Sequence, residues 1–266
     1  MLMIDTEACI VCGTCAEECH KKALHAENEV MVHEPERCIY CGHCLAVCPR
    51  DAIMIDGDGY DIEEVEDLGF AVKPTATQLR NLILDRRSVR HYTDDPVTDE
   101  EISKILEAGK YAPTSMNKQD NMFLVVQGKD SKVKFLEDTV AALERLQPQL
   151  EESDPEIAAI SRERCQAFRN DGKNYLYYDA PVIINVFSDI ATDGAIAATM
   201  MNLMAETLQL GMCMAVLPAR AFMDPQMRAE YKIPEGKQCV MSLLLGNSSS
   251  EYFSSVPRKN PPAITI

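Results

Sequence analysis

Apolar and polar positions follow two different regimes along this chain, and the change falls near residue 56. Up to Asp56, short apolar segments lie before and after two clusters of cysteine. From Thr77 onward, helix-period and strand-period stretches alternate. Thr77 is placed to cap a helix carrying Leu79, Leu82 and Ile83. Thr98-Asp99-Glu100-Glu101 reads as a capping box, with Ile102, Ile105 and Leu106 following at helical spacing. Val133, Leu136, Val140 and Leu143 mark another helix. Met122–Val126 reads as a strand, and Pro181–Phe187 and Gln238–Leu245 read as buried strands. Asp193 to Leu210 is a long, weakly polar helix with Gly211 as its C′ residue. Residues 147–172 are polar and charged without a strong period, and read as a lid or insertion. The tail from Pro257 holds three prolines and is expected to be extended. The mixture predicts an α+β domain with a smaller module ahead of it.

The smaller module is an internal repeat. A shift of 29 residues carries Cys9, Cys12, Cys15 and Cys19 onto Cys38, Cys41, Cys44 and Cys48. Flanking residues follow, with Ile10 falling on Ile39, Gly13 on Gly42 and Ala23 on Ala52. Asp56-Gly57-Asp58-Gly59 reads as a turn, and an acidic stretch leads from it to Lys73-Pro74. The expected organisation is therefore 1–56 as the duplicated module, 57–76 as linker and 77–266 as the α+β domain.

Charge narrows the partners. The 266 residues carry 26 basic and 42 acidic side chains, a formal net charge of −16. Such a surface repels phosphate backbones and anionic lipid, so nucleic acid and membrane are not expected partners. The uncharged runs Gly194–Ala205 and Thr207–Ala219 are divided by Glu206, and each falls short of the roughly 20 residues a span needs. Asp5 and Glu7 stand where an export signal would be basic and then apolar. A cytoplasmic location is expected, where disulfides are rare. Eight of the eleven cysteines lie in the first 48 residues, a crowding that there reads as metal ligation.

The pattern is C-x2-C-x2-C-x3-C, twice, with Cys48-Pro49 closing the second copy. Three thiolates on a tight loop reach three corners of a cubic cluster, and the fourth comes from elsewhere. Paired C-x2-C units also suit zinc, but a duplicated run of four favours iron–sulfur. Residues 1–56 closely resemble a bacterial-type two-[4Fe–4S] ferredoxin. The resemblance implies that Cys9, Cys12, Cys15 and Cys48 hold one cluster, and Cys38, Cys41, Cys44 and Cys19 the other. His20 stands where the family usually has proline. His25, His33 and His43 read as surface residues, and Cys165, Cys213 and Cys239 as small core residues.

The second domain opens with Arg86-Arg87-Ser88-Val89-Arg90 after a helix. Guanidinium groups pair bidentately with phosphate oxygens, and serine adds a donor, although a basic run is often only a solvated surface. Ala112-Pro113-Thr114-Ser115-Met116-Asn117-Lys118-Gln119 is a polar loop that offers hydroxyls and amides. With Gly211-Met212-Cys213 and Pro257-Arg258-Lys259, these pieces make residues 79–266 resemble the FMN-dependent nitroreductase family. The resemblance implies a nitroreductase-like domain with a central mixed sheet, forming a homodimer that holds an FMN at each end of its interface. Arg86, Arg87, Ser88 and Arg90 would hold phosphate and ribityl, with Arg258 on the phosphate. Pro113, Thr114 and Ser115 would approach the flavin of the other subunit. The backbone at Ala215, Val216 and Leu217 would lie near flavin N5, with Asn117 a further contact. The family loop often continues Gln-Pro-Trp, whereas here it reads Gln119-Asp120-Asn121, and the chain has no tryptophan. Met200, Met201 and Met204 read as core or dimer interface.

The expected function is an oxidoreductase in which two [4Fe–4S] clusters and FMN exchange electrons. A ferredoxin-like donor would feed the clusters, and a nitroaromatic or quinone would be reduced. Two alternatives remain: an NAD(P)H-oxidising flavoprotein that sends electrons out through the clusters, and a redox sensor or carrier without turnover. No side chain is singled out as a catalytic acid or base, because the cofactor carries the chemistry.

Overall fold

In the computed structural model, which describes residues 1–66, 68 and 72–265, the backbone repeats itself as the cysteines do. Strand β1 (Leu2–Ile4), helix α1 (Thr14–Glu18) and strand β2 (Leu24–Glu27) are followed by β3 (Val30–His33), α2 (His43–Ala46) and β4 (Ile53–Ile55). Pairing crosses between the halves: β1 runs antiparallel to β4, and β2 to β3. Each half therefore completes the other, and Leu2, Leu24, Met31, Ile53 and Ile55 bury into one small core with Cys15 and Cys44. Both short helices open on a left-handed glycine, Gly13 (φ 83°) and Gly42 (φ 77°), where a side chain would be strained.

The chain divides into two compact units. One comprises Met1–Lys73 together with Met116–Lys118, and the other Pro74–Ser115 with Gln119–Ile266. Part of the expected linker, residues 67 and 69–71, lies outside the described residues.

The second unit begins with α3 (Ala76–Asp85). Its cap is Thr75 rather than Thr77, because Gln78 stands three residues after Thr75 and closes a capping box with it. Helix α4 (Asp99–Lys110) starts at the expected Thr98–Glu101 box. There follow β5 (Met122–Gln127), α5 (Lys129–Ser153), α6 (Pro155–Asp171), β6 (Val182–Ser188), α7 (Ala191–Thr207), β7 (Gly211–Ala215), α8 (Pro225–Glu230) and β8 (Gln238–Gly246). The strands form one sheet in the order β5-β6-β8-β7, with antiparallel ladders. The named strands are antiparallel throughout, and a single parallel bridge between Ser88 and Met212 lies outside them at the β7 edge.

All seven residues of β6 are buried, which explains why its sequence is almost wholly apolar; the buried polar Asn185 accepts from Ser242 Oγ at 2.6 Å. Ile183 and Phe187 join Phe135, Leu143 and Phe222 on one face. Ile184 and Val186 join Ile105, Ala197 and Met201 on the other. Met201 is thus core, with Met200 and Met204 packed against it.

Two further expectations change. Residues 147–172 are not an irregular lid: they are the end of α5 and all of α6, joined at Asp154, whose carboxylate caps α6 through Ile157 N–H at 3.2 Å. Their period is faint because Arg169–Glu137, Arg169–Glu144 and Arg162–Glu151 ion pairs cover exposed positions, and because Pro148 sits inside α5. Gly211 is not a helix cap. Helix α7 closes on Gln209 (φ 60°), with Leu210 N–H bonded to Ala205 C=O and Gln209 N–H to Glu206 C=O, a Schellman closure. Gly211 instead starts β7, where a Cβ would lie 2.8 Å from both Val89 methyls.

Candidate functional site

Two cups of sulfur form within the first unit. One cup encloses about 360 Å³, partly open to solvent, and Cys9, Cys12, Cys15 and Cys48 line it. The other encloses about 380 Å³ and is lined by Cys38, Cys41, Cys44 and Cys19. Each cup thus takes three cysteines from one run and the fourth from the other. The crossed strand pairing brings the fourth cysteine across.

The walls otherwise are largely apolar. Ile4, Ile10, Met31 and Ile53 line the first cup, and Leu2, Leu24, Ile39 and Ile55 the second. Main-chain N–H groups already point at sulfur: Ala23 to Cys19 Sγ and Ala52 to Cys48 Sγ, both at 3.3 Å, and Tyr40 to Cys38 Sγ at 3.4 Å. Thr14 Oγ1 lies 3.4 Å from Cys12 Sγ and holds that exposed thiol below its usual pKa. Burial pushes the Cys15 and Cys38 thiols up, and that of Cys44 to about 11. Among the described residues, no group of His, Cys, Asp and Glu side chains converges as around a single metal ion. Four thiols spread around an apolar cup with N–H donors to sulfur suit a group larger than one ion.

The expectation that His33 is a surface residue is corrected. It lines the second cup, and among the described residues its buried Nε2 has no hydrogen-bond partner. Strand pairing of Leu24 with His33 draws it inward, which its polar flank Glu34-Pro35-Glu36 does not suggest.

In the second unit, the arginine segment is strapped to β7. Val89 N–H donates to Met212 C=O at 3.1 Å, and Val89 is buried against Gly211. Its neighbours project away from that buried anchor. Ser88 and Arg90 are exposed and Arg86 is half-buried. The Arg90 guanidinium lies over the Tyr178 ring at 5.8 Å. Arg87 is spoken for: its guanidinium donates to the carbonyls of Leu84 (2.6 Å), Arg86 (2.9 Å) and Ser254 (2.8 Å). Arg87 thereby ties the C-terminal segment to the arginine run. Arg258, further along, is exposed and bonds only its neighbour Pro257 C=O among the hydrogen bonds described.

The loop after α4 is built from its main chain. Pro113 is exposed, Thr114 Oγ1 accepts from Gln119 N–H at 3.0 Å, and Ser115 N–H donates to Asp193 Oδ2 at 2.8 Å. Asn117, in the left-handed region at φ 53°, groups with the first unit, where its Nδ2 donates to the carbonyls of Ile39 (3.1 Å) and Tyr40 (3.0 Å). Beyond it, Asp120 Oδ2 accepts from Asp189 N–H at 2.9 Å and pairs with Lys237 at 3.2 Å. Asp120, in place of proline, therefore serves as a brace.

At the end of β7, Ala215 is half-buried, Val216 is 51% exposed and Leu217 is buried in the core. Leu217 pins a short stretch of main chain whose next residue outward is free to face a ligand. Cys165 and Cys213 are core residues, as expected, and Cys239 packs half-buried against the core. Asp193 was missed as a loop anchor, though its place at the mouth of the long apolar helix made it visible.

Among the described residues, no helix is long and apolar enough to cross a membrane. Residues 83–247 match the model of the nitroreductase family, and residues 1–52 match that of the 4Fe-4S dicluster domain. An FMN reductase [NAD(P)H] of Bacillus subtilis is 44% identical over 55 residues, so the match spans about a fifth of either protein (21% and 22%). A nitrobenzene nitroreductase of Ectopseudomonas oleovorans is 25% identical over 218 residues, 70% of this chain and 94% of that one. The crystal structure of a nitroreductase with bound FMN from Bacteroides fragilis superposes with a TM-score of 0.57 at 26% identity, over 71% of this chain and 98% of the other.

Proposed function

The chain belongs to the nitroreductase family and is an oxidoreductase, and from that premise we propose that it couples two [4Fe–4S] clusters to FMN and reduces an electron-poor organic acceptor of the nitroaromatic or quinone type. The observation that carries this reading is the pair of four-sulfur cups, each completed from the opposite run, in one chain with the family domain. When bound, the clusters supply one-electron transfer and FMN converts between one- and two-electron chemistry.

The residues have distinct tasks. The eight cysteines hold the clusters as thiolates, and the largely apolar walls limit water at the sulfurs, exposed Cys12 excepted. Arg86, Arg90 and Arg258 offer positive charge to the FMN phosphate in a chain of net charge −16, and Ser88 adds a hydroxyl donor. Arg87 contributes by holding the tail that carries Arg258. Main-chain donors near Ala215–Leu217 would face the isoalloxazine when FMN is bound, and the Pro113–Ser115 loop of a second copy of the chain would approach it. Fixed donors there would supply electrostatic stabilisation where the flavin takes up charge. A reducing cytoplasm suits eight free thiol ligands.

Anaerobic rapid mixing of the loaded protein with NADH, NADPH or a reduced ferredoxin tests the reading, with flavin and cluster absorbance followed separately. Cluster bleaching by ferredoxin ahead of flavin, then flavin reoxidation by a nitroaromatic, is expected. Flavin bleaching by a nicotinamide ahead of the clusters would reverse the direction. Absence of turnover with every acceptor would leave a sensor or carrier. Metal analysis checks the clusters independently, with about eight iron atoms per chain expected and zinc excluding them.

A further inference from the structure

The two cups are copies of each other, and their differences are confined to a few positions. The 29-residue shift that maps the cysteines also maps Leu2 onto Met31 and Ile4 onto His33, and all four of these residues line the cups. Leu2 and Met31 are both apolar, so that exchange changes little. At the second of these positions the first cup has the aliphatic wall of Ile4, and the second has the imidazole of His33; His20, Tyr40 and His43 also line the second cup, against Pro49, Val11 and Thr14 in the repeat, but both of those histidines are exposed. His33 is half-buried, its ring meets Tyr40 edge-on at 6.4 Å, and its Nε2 is buried with no partner among the described residues. A buried ring nitrogen left unpaired costs free energy, so an acceptor is wanted there. What surrounds it is a cup of sulfur.

We propose that His33 Nε2–H donates a hydrogen bond to a sulfur of the cluster held by Cys38, Cys41, Cys44 and Cys19, and thereby makes it the more easily reduced of the two. This rests on the cluster assignment proposed above. Reduction adds one electron to the cluster, supplied in the test by an external reductant, and the added charge spreads onto the sulfurs. A donor to those sulfurs stabilises the reduced form more than the oxidised form and raises the potential. Ile4 offers no such donor. Thr14 beside Cys12 is the competing donor in the first cup, but Cys12 is exposed, and a hydrogen bond in water-like surroundings is weaker than a buried one. The electron therefore rests on the second cluster, and the module has a built-in direction.

The repeat supplies the test variants: His33→Ile installs the residue of the first cup, and Ile4→His installs that of the second. Full-length protein, with iron and sulfide measured, is titrated anaerobically with EPR detection of the reduced clusters. Wild type should show two separate midpoints. His33→Ile should lower the upper one by about tenfold in its equilibrium constant, about 59 mV for one electron, and leave the lower one in place. Ile4→His should raise the lower one. Fully loaded His33→Ile with both midpoints unmoved, or with only the lower one moved, overturns the proposal. Should His33→Ile lose iron, Ile4→His decides: a raised lower midpoint supports the proposal and an unmoved one overturns it. A wild-type chain with zinc or with iron for one cluster fails at the metal count, which separates failure of the cluster assignment from failure of the His33 role.

Discussion

The main-chain N–H of Ser115 donates to Asp193 Oδ2 at 2.8 Å, joining positions 78 residues apart. Asp193 is 4% exposed in the first turn of α7, so a buried carboxylate on the central helix holds the loop after α4. Hydrogen bonds to charged groups contribute about 1.5–3 kcal/mol, and exposed Ser115 places this one near the lower end. Asp193→Ala should free Pro113–Ser115 and raise the FMN Kd about tenfold, with iron content unchanged. Flavin fluorescence titration reads this directly, and an unchanged Kd would remove the loop from the flavin site.

Gly211 and Val89 form a second joint. A Cβ at 211 would sit 2.8 Å from both Val89 methyls and 2.9 Å from Val89 Cβ. Gly211→Ala should push the arginine segment off β7, at a cost of about 1–3 kcal/mol. For a unit this size that is about 2–4 °C of Tm per kcal/mol, and flavin retention should fall with it. Adding Val89→Ala opens the space and should restore part of both. A double variant no better than the single one would place the damage elsewhere.

Arg87 and Arg90 should behave differently although they are three residues apart. Arg87 holds Ser254 C=O, so Arg87→Ala should loosen the tail and speed tryptic cleavage at Arg258 and Lys259 several-fold. Arg86→Ala and Arg90→Ala should leave cleavage unchanged and lose FMN on gel filtration. Full flavin content in both would sink the phosphate assignment.

Glu206 makes stability depend on pH. Burial raises its pKa, helped by nearby Asp85 and opposed by Arg86 and Arg87. A carboxyl that holds its proton more tightly when folded stabilises the fold in its protonated form. Stability therefore falls as pH rises from the ordinary carboxylate value through the raised one, and the penalty persists above it. Glu206→Gln should raise Tm at pH 7 and make no difference below the ordinary carboxylate range. Melting curves across pH check this, and a Tm gain of equal size at every pH would exclude the charge as its cause.

The cysteine spacing, the 29-residue repeat, the Thr98–Glu101 box and the buried strand at β6 could all be read from the chain alone. Each is a local or periodic property, and covalent spacing or the strand repeat of two residues enforces it. The same holds for the arginine run and the polar loop as pieces. What tertiary structure decided is which groups are already engaged. Arg87 turned out to be occupied by Ser254, a residue 167 positions away, and Asp193 by Ser115. Gly211 serves Val89 rather than its own helix, because the need for a small residue arises only where two segments press together. His33 entered a sulfur cup because β2 and β3 pair in a register that sets Leu24 opposite it. Hydrogen-bond partners and packing contacts are set by distance in space, and a linear pattern does not carry that distance until the strands and helices are in place.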